Sequence, residues 1–232
     1  MKRIKTPAII YKMMMYSDKS AIATAFSLSH GKIKLFINKA YSKRGGISKM
    51  LPGDLDFLKK SSSDLNKFYA FYQNIGMSHF LESPAVYLRM NLIFEVFDMF
   101  YGLDMPDERL WRLLMNVTPH NFRKSSIYIS DYILSESGFR DNFIFCSSCD
   151  KHMVEGFLED GRVFCMDCSK GNGFYIDEKL VEIFNALDDN ELYKKLFVIS
   201  DVEMMYWDFF QKYFKKITGK KLKTLDTLKL IE

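Results

Sequence analysis

Residues 8–40 read AIIYKMMMYSDKSAIATAFSLSHGKIKLFINKA, and the first decision about the fold lies in this stretch. Residues 8–14, 21–29 and 32–40 are three short runs rich in Ile, Phe and Tyr that partly alternate apolar with polar side chains. A period of two is what a strand needs when one of its faces meets a core. The His30-Gly31-Lys32 stretch predicts a tight turn between the second run and the third. Residues 41–53, YSKRGGISKMLPG, then break the pattern with three glycines and a proline, so a loop belongs there. Residues 54–60 (DLDFLKK) and 66–76 (NKFYAFYQNIG) predict two more strands, with SSSD at 61–64 as the turn between them. Five short strands with a glycine-rich, basic connection fit the five-stranded oligonucleotide-binding (OB) barrel; an SH3-like barrel and an open meander satisfy the same pattern. Phe36, inside the third run, reads as barrel core.

Beyond residue 80 the period becomes helical. Ser83 followed by Pro84 is a cap and a first-turn proline, and Gly102 supplies the stop. Between them only Arg89 and a stripe of Asn91, Glu95 and Asp98 are polar, which predicts a helix buried at the centre of a bundle. Thr118 and Pro119 repeat the cap-then-proline signal and predict a helix that runs to Gly138. Residues 177–187 and 201–219 predict two more helices, the second opened by a Ser200-x-x-Glu203 capping box and closed by Gly219. On that last helix Val202, Met205, Tyr206, Phe209, Tyr213 and Ile217 line one face and read as packed core. The expected architecture is α+β and multidomain: an OB barrel over residues 1–80 and a helical bundle over 81–232, with a zinc-binding hairpin inserted at 141–173.

At 232 residues and 48% hydrophobic the chain can bury a sizeable core. The basic opening is interrupted by Lys12 and no small-residue cleavage site follows, and no long uncharged apolar run appears, so neither export nor a membrane span is expected. A soluble, cytoplasmic protein is the expectation. Net charge is only +4, but it is unevenly spread. Residues 1–80 carry 14 Lys and Arg against 4 Asp, a net of +10, while the remainder carries 19 basic and 25 acidic residues. The basic part suits a polyanion and the acidic part something else.

All four cysteines fall in one stretch, as two copies of Phe-Cys-x-x-Cys-x-Lys: Cys146 and Cys149, then Cys165 and Cys168, with 15 residues between the pairs. Each Cys-x-x-Cys turn can offer two thiolates to one tetrahedral ion, and two turns complete its shell. Asp160-Gly161, midway between them, is a two-residue hairpin turn that would return the second pair to the first. Zn2+ is the expected ion. Disulfides are disfavoured in a chain with no export signal, and a redox site would need only one pair. Four sulfurs leave no open position on the ion for water or substrate, so its role is structural. The hairpin is also acidic: Asp141, Asp150, Glu155, Glu159, Asp160 and Asp167 stand against Lys151, Arg162 and Lys170. His152 reads as an exposed loop histidine.

The candidate nucleic-acid contacts are Lys32, Lys34, Lys39, Lys43, Arg44, Lys49, Lys59 and Lys60, on or near the third and fourth strands and their loop, with Tyr41 as a stacking ring. Lys212, Lys215 and Lys216 on the last helix are candidates for a partner surface, although a helix C-terminus favours cations for its own reasons. Phosphate-loop, dinucleotide and zinc-protease motifs are all absent, and the four histidines are scattered, so binding is favoured over catalysis.

The order of three features carries a resemblance: KLFINKAYSKRGGISKMLPGDL at 34–55, the paired FCSSCDK and FCMDCSK, and the closing YFKKITGKKLKTLDTL at 213–228. Together these look like the bacterial recombination mediator family RecO, over essentially the whole chain. The resemblance implies a non-enzymatic protein of homologous-recombination repair that binds single- and double-stranded DNA and anneals complementary strands. With RecR it would help RecA load onto DNA coated by single-strand-binding protein, whose acidic C-terminal tail would dock on the helical domain. A zinc-ribbon and OB accessory protein acting on RNA or in transcription is the competing reading. A zinc-dependent nuclease or deaminase is a third, disfavoured by the closed sulfur shell.

Overall fold

The computed structural model describes residues 2–41, 46–60 and 63–231. The chain divides into two compact units, Met1–His120 and Asn121–Glu232. Among the described residues no helix is long and apolar enough to cross a membrane.

The first unit is built on five strands: β1 (Lys2–Ser17), β2 (Ser20–Ser27), β3 (Gly31–Ile37), β4 (Pro52–Lys59) and β5 (Leu65–Gln73). They close into a barrel in the order β1-β2-β3-β5-β4, with β4 returning to β1. β1 is about twice the length read from its apolar pattern because it serves two neighbours. Its first half, from Lys2 to Ile9, pairs with β4, and its second half, from Ala8 to Ser17, pairs with β2. The polar first half carries no alternation signal of its own; pairing with β4 makes it a strand. Closure comes from a short parallel ladder, Lys34 to Phe36 against Leu65 to Lys67. Parallel pairing here requires a connection that crosses one end of the barrel, and β4 with its flanking loops provides it.

The interior is filled by alternate residues: Ala21, Ala23 and Ala25 from β2, Ile33, Leu35 and Ile37 from β3, Leu55 and Phe57 from β4. The three alanines keep the barrel narrow enough for side chains to fill it. The same alternation turns Lys32, Lys34 and Phe36 outward, so Phe36 is not core; it is half-buried on the outer face, edge-on to Tyr16 at 5.6 Å between ring centroids.

A short 3-10 turn (Ile75–Met77) and α1 (His79–Glu82) lead into α2 (Pro84–Phe100), and α3 (Glu108–Met115) follows. Ser83 caps α2 by accepting from the Val86 N–H, with Pro84 in the first turn, as read from the sequence. The apolar face of α2 is buried, but against the outside of the barrel. Phe94 stacks on Tyr11 at 4.5 Å, and Phe26 lies between Phe97 and Trp111 at 5.0 and 6.0 Å. Phe26 points away from the barrel interior and is nevertheless fully buried, because these rings cover it. The loop from α2 to α3 returns to β3: Asp104 N–H donates to the Lys32 carbonyl at 2.9 Å. Gly31, at φ +61°, makes that return possible, since a Cβ there would lie 1.8 Å from the Met105 carbonyl oxygen.

The second unit opens with α4 (Phe122–Glu136). It starts three residues later than the Thr118-Pro119 signal predicts, because the Thr118 hydroxyl accepts from His120 N–H and closes a local turn instead. Gly138, at φ +72°, ends it as expected. The cysteine hairpin comprises β6 (Gly156–Glu159) and β7 (Arg162–Cys165), with β8 (Phe174–Ile176) added beside β6. Then come α5 (Glu178–Asp188), α6 (Asn190–Lys195), α7 (Ser200–Thr218) and α8 (Lys223–Leu228).

The core of this unit is aromatic. Phe143 meets Phe184, Phe209 and Tyr213 at 4.9 to 5.1 Å, which seats the entry to the hairpin on α5 and α7. Tyr206, Phe209 and Tyr213 are buried as read, but the buried face of α7 is centred on Glu203, Trp207, Phe210 and Phe214, while Val202, Met205 and Ile217 lie at its half-buried margin. The helix begins one residue earlier than the Ser200-x-x-Glu203 pattern implies. Ile199 is the N-cap, and the fully buried Glu203 carboxylate instead accepts from Arg123 Nε and Trp207 Nε1, each at 3.2 Å.

Candidate nucleic-acid interface and metal centre

β3 sets the candidate interface on the barrel. Its outward residues Lys34 and Phe36 lie in register with β5, where Phe36 pairs with Lys67. From Lys67 the outer face continues along β5. Tyr69 occupies a bulge in the β4–β5 ladder and Tyr72 follows it, and both rings are exposed, Tyr72 by 67%. The bulge keeps Tyr69 and Tyr72 on one side although they are three residues apart. Lys67 Nζ stands 5.3 Å from the Tyr69 ring centre, and the Arg3 guanidinium covers the ring at 4.9 Å. Arg3 is itself fixed, donating to both carboxylate oxygens of Asp56 at 2.9 and 2.7 Å; those hydrogen bonds hold Asp56 below its ordinary pKa. At the other end, Tyr16 reaches over Phe36 from the tip of the β1–β2 hairpin with 65% of its surface exposed. The result is a band of rings, Tyr16, Phe36, Tyr69 and Tyr72, interleaved with Lys34, Lys67 and Arg3. Rings stack on bases and cations neutralise phosphates, so such a band is suited to a single strand.

Of the residues singled out in the sequence, Lys34, Lys39, Tyr41 and Lys49 are exposed on β3 or beside its loop. Lys43 and Arg44 lie outside the described residues. Lys32 is engaged internally: its side chain is 12% exposed and its ammonium binds Asp98 at 2.9 Å and the carbonyls of Asp98 and Tyr101. Lys59 pairs with Asp104 at 2.7 Å, and Lys60 is half-buried, its N–H donating to Asn66. Arg3, Lys67, Tyr69, Tyr72 and Tyr16 were not assigned from sequence. The run Lys67-x-Tyr69 carried the signal, as alternate polar and aromatic residues opposite the core residues Phe68 and Phe71.

The candidate metal centre is assembled by two backbone knuckles. In the first, Asp150 N–H donates to the Cys146 carbonyl at 2.9 Å and Ser148 N–H to Cys146 Sγ at 3.4 Å; in the second, the Cys168 and Ser169 N–H groups donate to the Cys165 carbonyl at 3.1 and 3.0 Å. Ser147 N–H donates to the Val163 carbonyl at 2.8 Å and ties the first knuckle to the hairpin. The turn has the expected form, with Asp160 at φ +49° and Gly161 at φ +85°, a pairing that the right-handed strand twist favours. Glu159 secures the loop after the second knuckle, accepting from Ser169 Oγ at 2.6 Å and from Lys170 and Gly171 N–H at 2.9 and 3.1 Å.

The four Sγ atoms all lie within 4.8 Å of one another, and Cys149 and Cys165 are 3.8 Å apart. A tetrahedral ion with bonds of about 2.3 Å spaces its sulfurs at about 3.8 Å, so the donor set fits a four-coordinate metal. Burial resists ionisation of Cys146, but backbone N–H groups of Cys165, Cys149 and Ser148 outweigh it and bring its pKa down to about 6. Hydrogen bonds with Cys149 and Cys165 push Cys168 up to about 12, as expected where four thiols crowd together and cannot all ionise without a cation. Of the three lysines read as a partner surface, Lys212 and Lys215 are exposed and Lys216 pairs with Asp160 at 3.1 Å.

Residues 1–65 match the family model described as Recombination protein O N terminal. Over 254 aligned positions, covering 100% of both chains, the protein is 22% identical to the DNA repair protein RecO of Caldicellulosiruptor saccharolyticus. Over most of its barrel the chain is thus similar to the N-terminal model of that family, and along its full length it is similar to a named RecO.

Proposed function

We propose that this chain is a non-enzymatic, DNA-binding mediator of recombinational repair, working in the bacterial cytoplasm at the nucleoid. Its barrel binds single- and double-stranded DNA and lets complementary strands anneal; with RecR it helps RecA load onto DNA coated by single-strand-binding protein, whose acidic tail docks on the helical unit. The observation that carries this reading is the band of exposed rings and cations across β3 and β5, on a barrel that matches the RecO N-terminal model. Phosphate neutralisation releases counterions and brings two strands together without nucleotide hydrolysis, and lysine contacts of this kind carry no base information. On this reading Lys34, Lys39, Tyr41, Lys43, Arg44, Lys49, Lys59 and Lys60 remain contacts to test, joined by Lys67, Tyr69 and Tyr72. Lys32, committed to α2, is the exception.

Zinc is the ion we assign to the four cysteines. It supplies a rigid cross-link with no open coordination position. Cys146, Cys149, Cys165 and Cys168 would hold it, and the Glu159 hydrogen bonds would fix the second knuckle around it.

Fluorescence anisotropy of a labelled single-stranded oligonucleotide across a salt series tests the reading. In a Lys34→Glu, Lys67→Glu variant the salt slope should fall by about 2. In Tyr69→Ala the affinity should fall by about 1 to 3 kcal/mol with the slope unchanged. Equal binding by all three proteins would remove this face from the mechanism, and a strong preference for RNA would favour the transcription-accessory reading.

A further inference from the structure

Seven lysines stand between residues 211 and 229 against one carboxylate, Asp226, while residues 81–210 carry 12 basic and 23 acidic residues. A basic island thus follows an acidic stretch of chain, and the fold gathers it. Lys212, Lys215 and Lys216 share one face of the last two turns of α7. The chain reverses at Gly219, at φ +71°, and Leu222, fully buried, donates its N–H to the Gln211 side-chain oxygen at 3.0 Å. Further on, Lys229 pairs with Asp208 of α7. The segment carrying Lys220, Lys221 and Lys223 therefore runs back along α7 instead of leaving it.

Folding accounts for only part of this charge. Lys215 and Lys216 lie in the last turn of α7, where the helix dipole favours cations. Lys220 and Lys221 lie beyond that helix, and Lys223 opens α8, at an end that favours acidic residues. Ion pairing accounts for Lys216, with Asp160, and for Lys229. Lys212, Lys215 and Lys221 are exposed, and among the described residues no carboxylate pairs with them. We propose that this surface is a second nucleic-acid site, which takes the phosphate backbone of one strand while the barrel holds another. The proposal rests on the reading that the barrel binds DNA, and adds where a second strand is held.

The occupant follows from what the surface lacks. From Lys212 to Lys223 no aromatic or aliphatic side chain is exposed; Tyr213, Phe214 and Leu222 are buried and Ile217 is half-buried. A peptide ligand draws its affinity from side chains anchored in apolar pockets, and none is open here. A phosphate chain needs only a spaced set of cations, and each lysine that meets it releases counterions. With no exposed ring to stack on a base, binding depends on charge alone and is blind to base identity. Two strands held by the two units of one chain are confined to the volume of one molecule, which raises the rate at which they meet. Strand annealing gains from that confinement.

The test reads strands bound per full-length chain, by sedimentation of short fluorescent oligo-dT, and annealing of a complementary pair by energy transfer. The unaltered chain should bind two strands. A Lys215→Glu, Lys221→Glu variant, with thermal unfolding unchanged, should bind one, keep the first-strand affinity within about twofold and anneal about tenfold more slowly. Lys215→Arg, Lys221→Arg should keep both strands, and Tyr69→Ala should weaken the first without altering the second. Two strands on the glutamate variant, or one on the unaltered chain, would overturn the second site and leave the barrel reading intact. No strand on the unaltered chain would overturn the barrel reading itself. Unchanged strand binding by the glutamate variant, with loss of a labelled hexa-aspartate that the unaltered chain binds, would overturn the proposal and give the surface to an acidic peptide.

Discussion

Lys32, on the outer face of the third barrel strand, caps the C-terminal end of α2: its ammonium sits 2.9 Å from an Asp98 carboxylate oxygen and donates to the carbonyls of Asp98 and Tyr101 at 2.9 and 3.0 Å. Lysine is favoured there by the helix dipole and by the carbonyls that the helix leaves unmatched. Asp98 also accepts from Tyr11 and Lys12, each at 3.0 Å, so one carboxylate binds two strands of the barrel to the helix. Lys32→Met should cost about 2 kcal/mol in urea denaturation and leave single-strand affinity within about twofold of the unaltered protein. A loss of DNA binding without loss of stability would reverse this assignment. Burial alone would raise the Asp98 pKa, but the hydrogen bonds from Lys32 and Lys12 outweigh it and hold it below the ordinary carboxylate value. The stability this provides is therefore present above the ordinary carboxylate pKa and is lost as pH falls through the depressed one. Acid unfolding should begin at higher pH in Lys32→Met.

The helices α1 to α3 lie in the same compact unit as the barrel. Tyr11 and Phe26 are buried only because Phe94, Phe97 and Trp111 cover them. A fragment of residues 1–120 should unfold in one cooperative transition. A fragment cut at residue 80 should aggregate or bind a hydrophobic dye, since it exposes both rings on the outside of the barrel. Equal stability of the two fragments would support a domain boundary at residue 80.

Glu203 is fully buried and accepts from Arg123 and Trp207. Glu203→Ala takes the acceptor from the buried Trp207 indole N–H and the partner from the part-exposed Arg123, so it should cost about 1 to 3 kcal/mol by chemical denaturation. Ser200→Ala should cost less, about 0.5 kcal/mol, since Ile199 and not Ser200 holds the N-cap position. Similar losses in the two variants would restore the capping-box reading.

Cys146 is buried and Cys149 exposed. Both Cys146→Ser and Cys149→Ser should lower bound metal from about one equivalent, as measured by atomic emission on the purified protein. Cys146→Ser should destabilise more, because its replacement also disturbs a packed site. Retention of a full equivalent in both variants would exclude the four-sulfur centre.

Local rules made much of this protein legible from its sequence. Period-two alternation located the strands, Ser83 with Pro84 and the glycines at 138 and 219 marked helix ends, and Asp160-Gly161 set the turn that brings the cysteine pairs together. Each of these depends on neighbours within a few residues, where backbone sterics and hydrogen bonding decide. What the sequence could not settle was which surface each element would cover. The apolar face of α2 announces burial equally well inside a bundle or on a barrel, and rings on Tyr11 and Phe26 chose the barrel. Phe36 has the composition of core, yet the register of β3 turns it outward beside Lys67. Lys32 reads as one more surface cation until the return of α2 brings Asp98 within reach, and Glu203 reads as a cap until packing places Arg123 and Trp207 beside it. Hydrophobicity and charge specify that a group must find a partner; only the tertiary structure, by bringing distant segments together, decides which partner it finds.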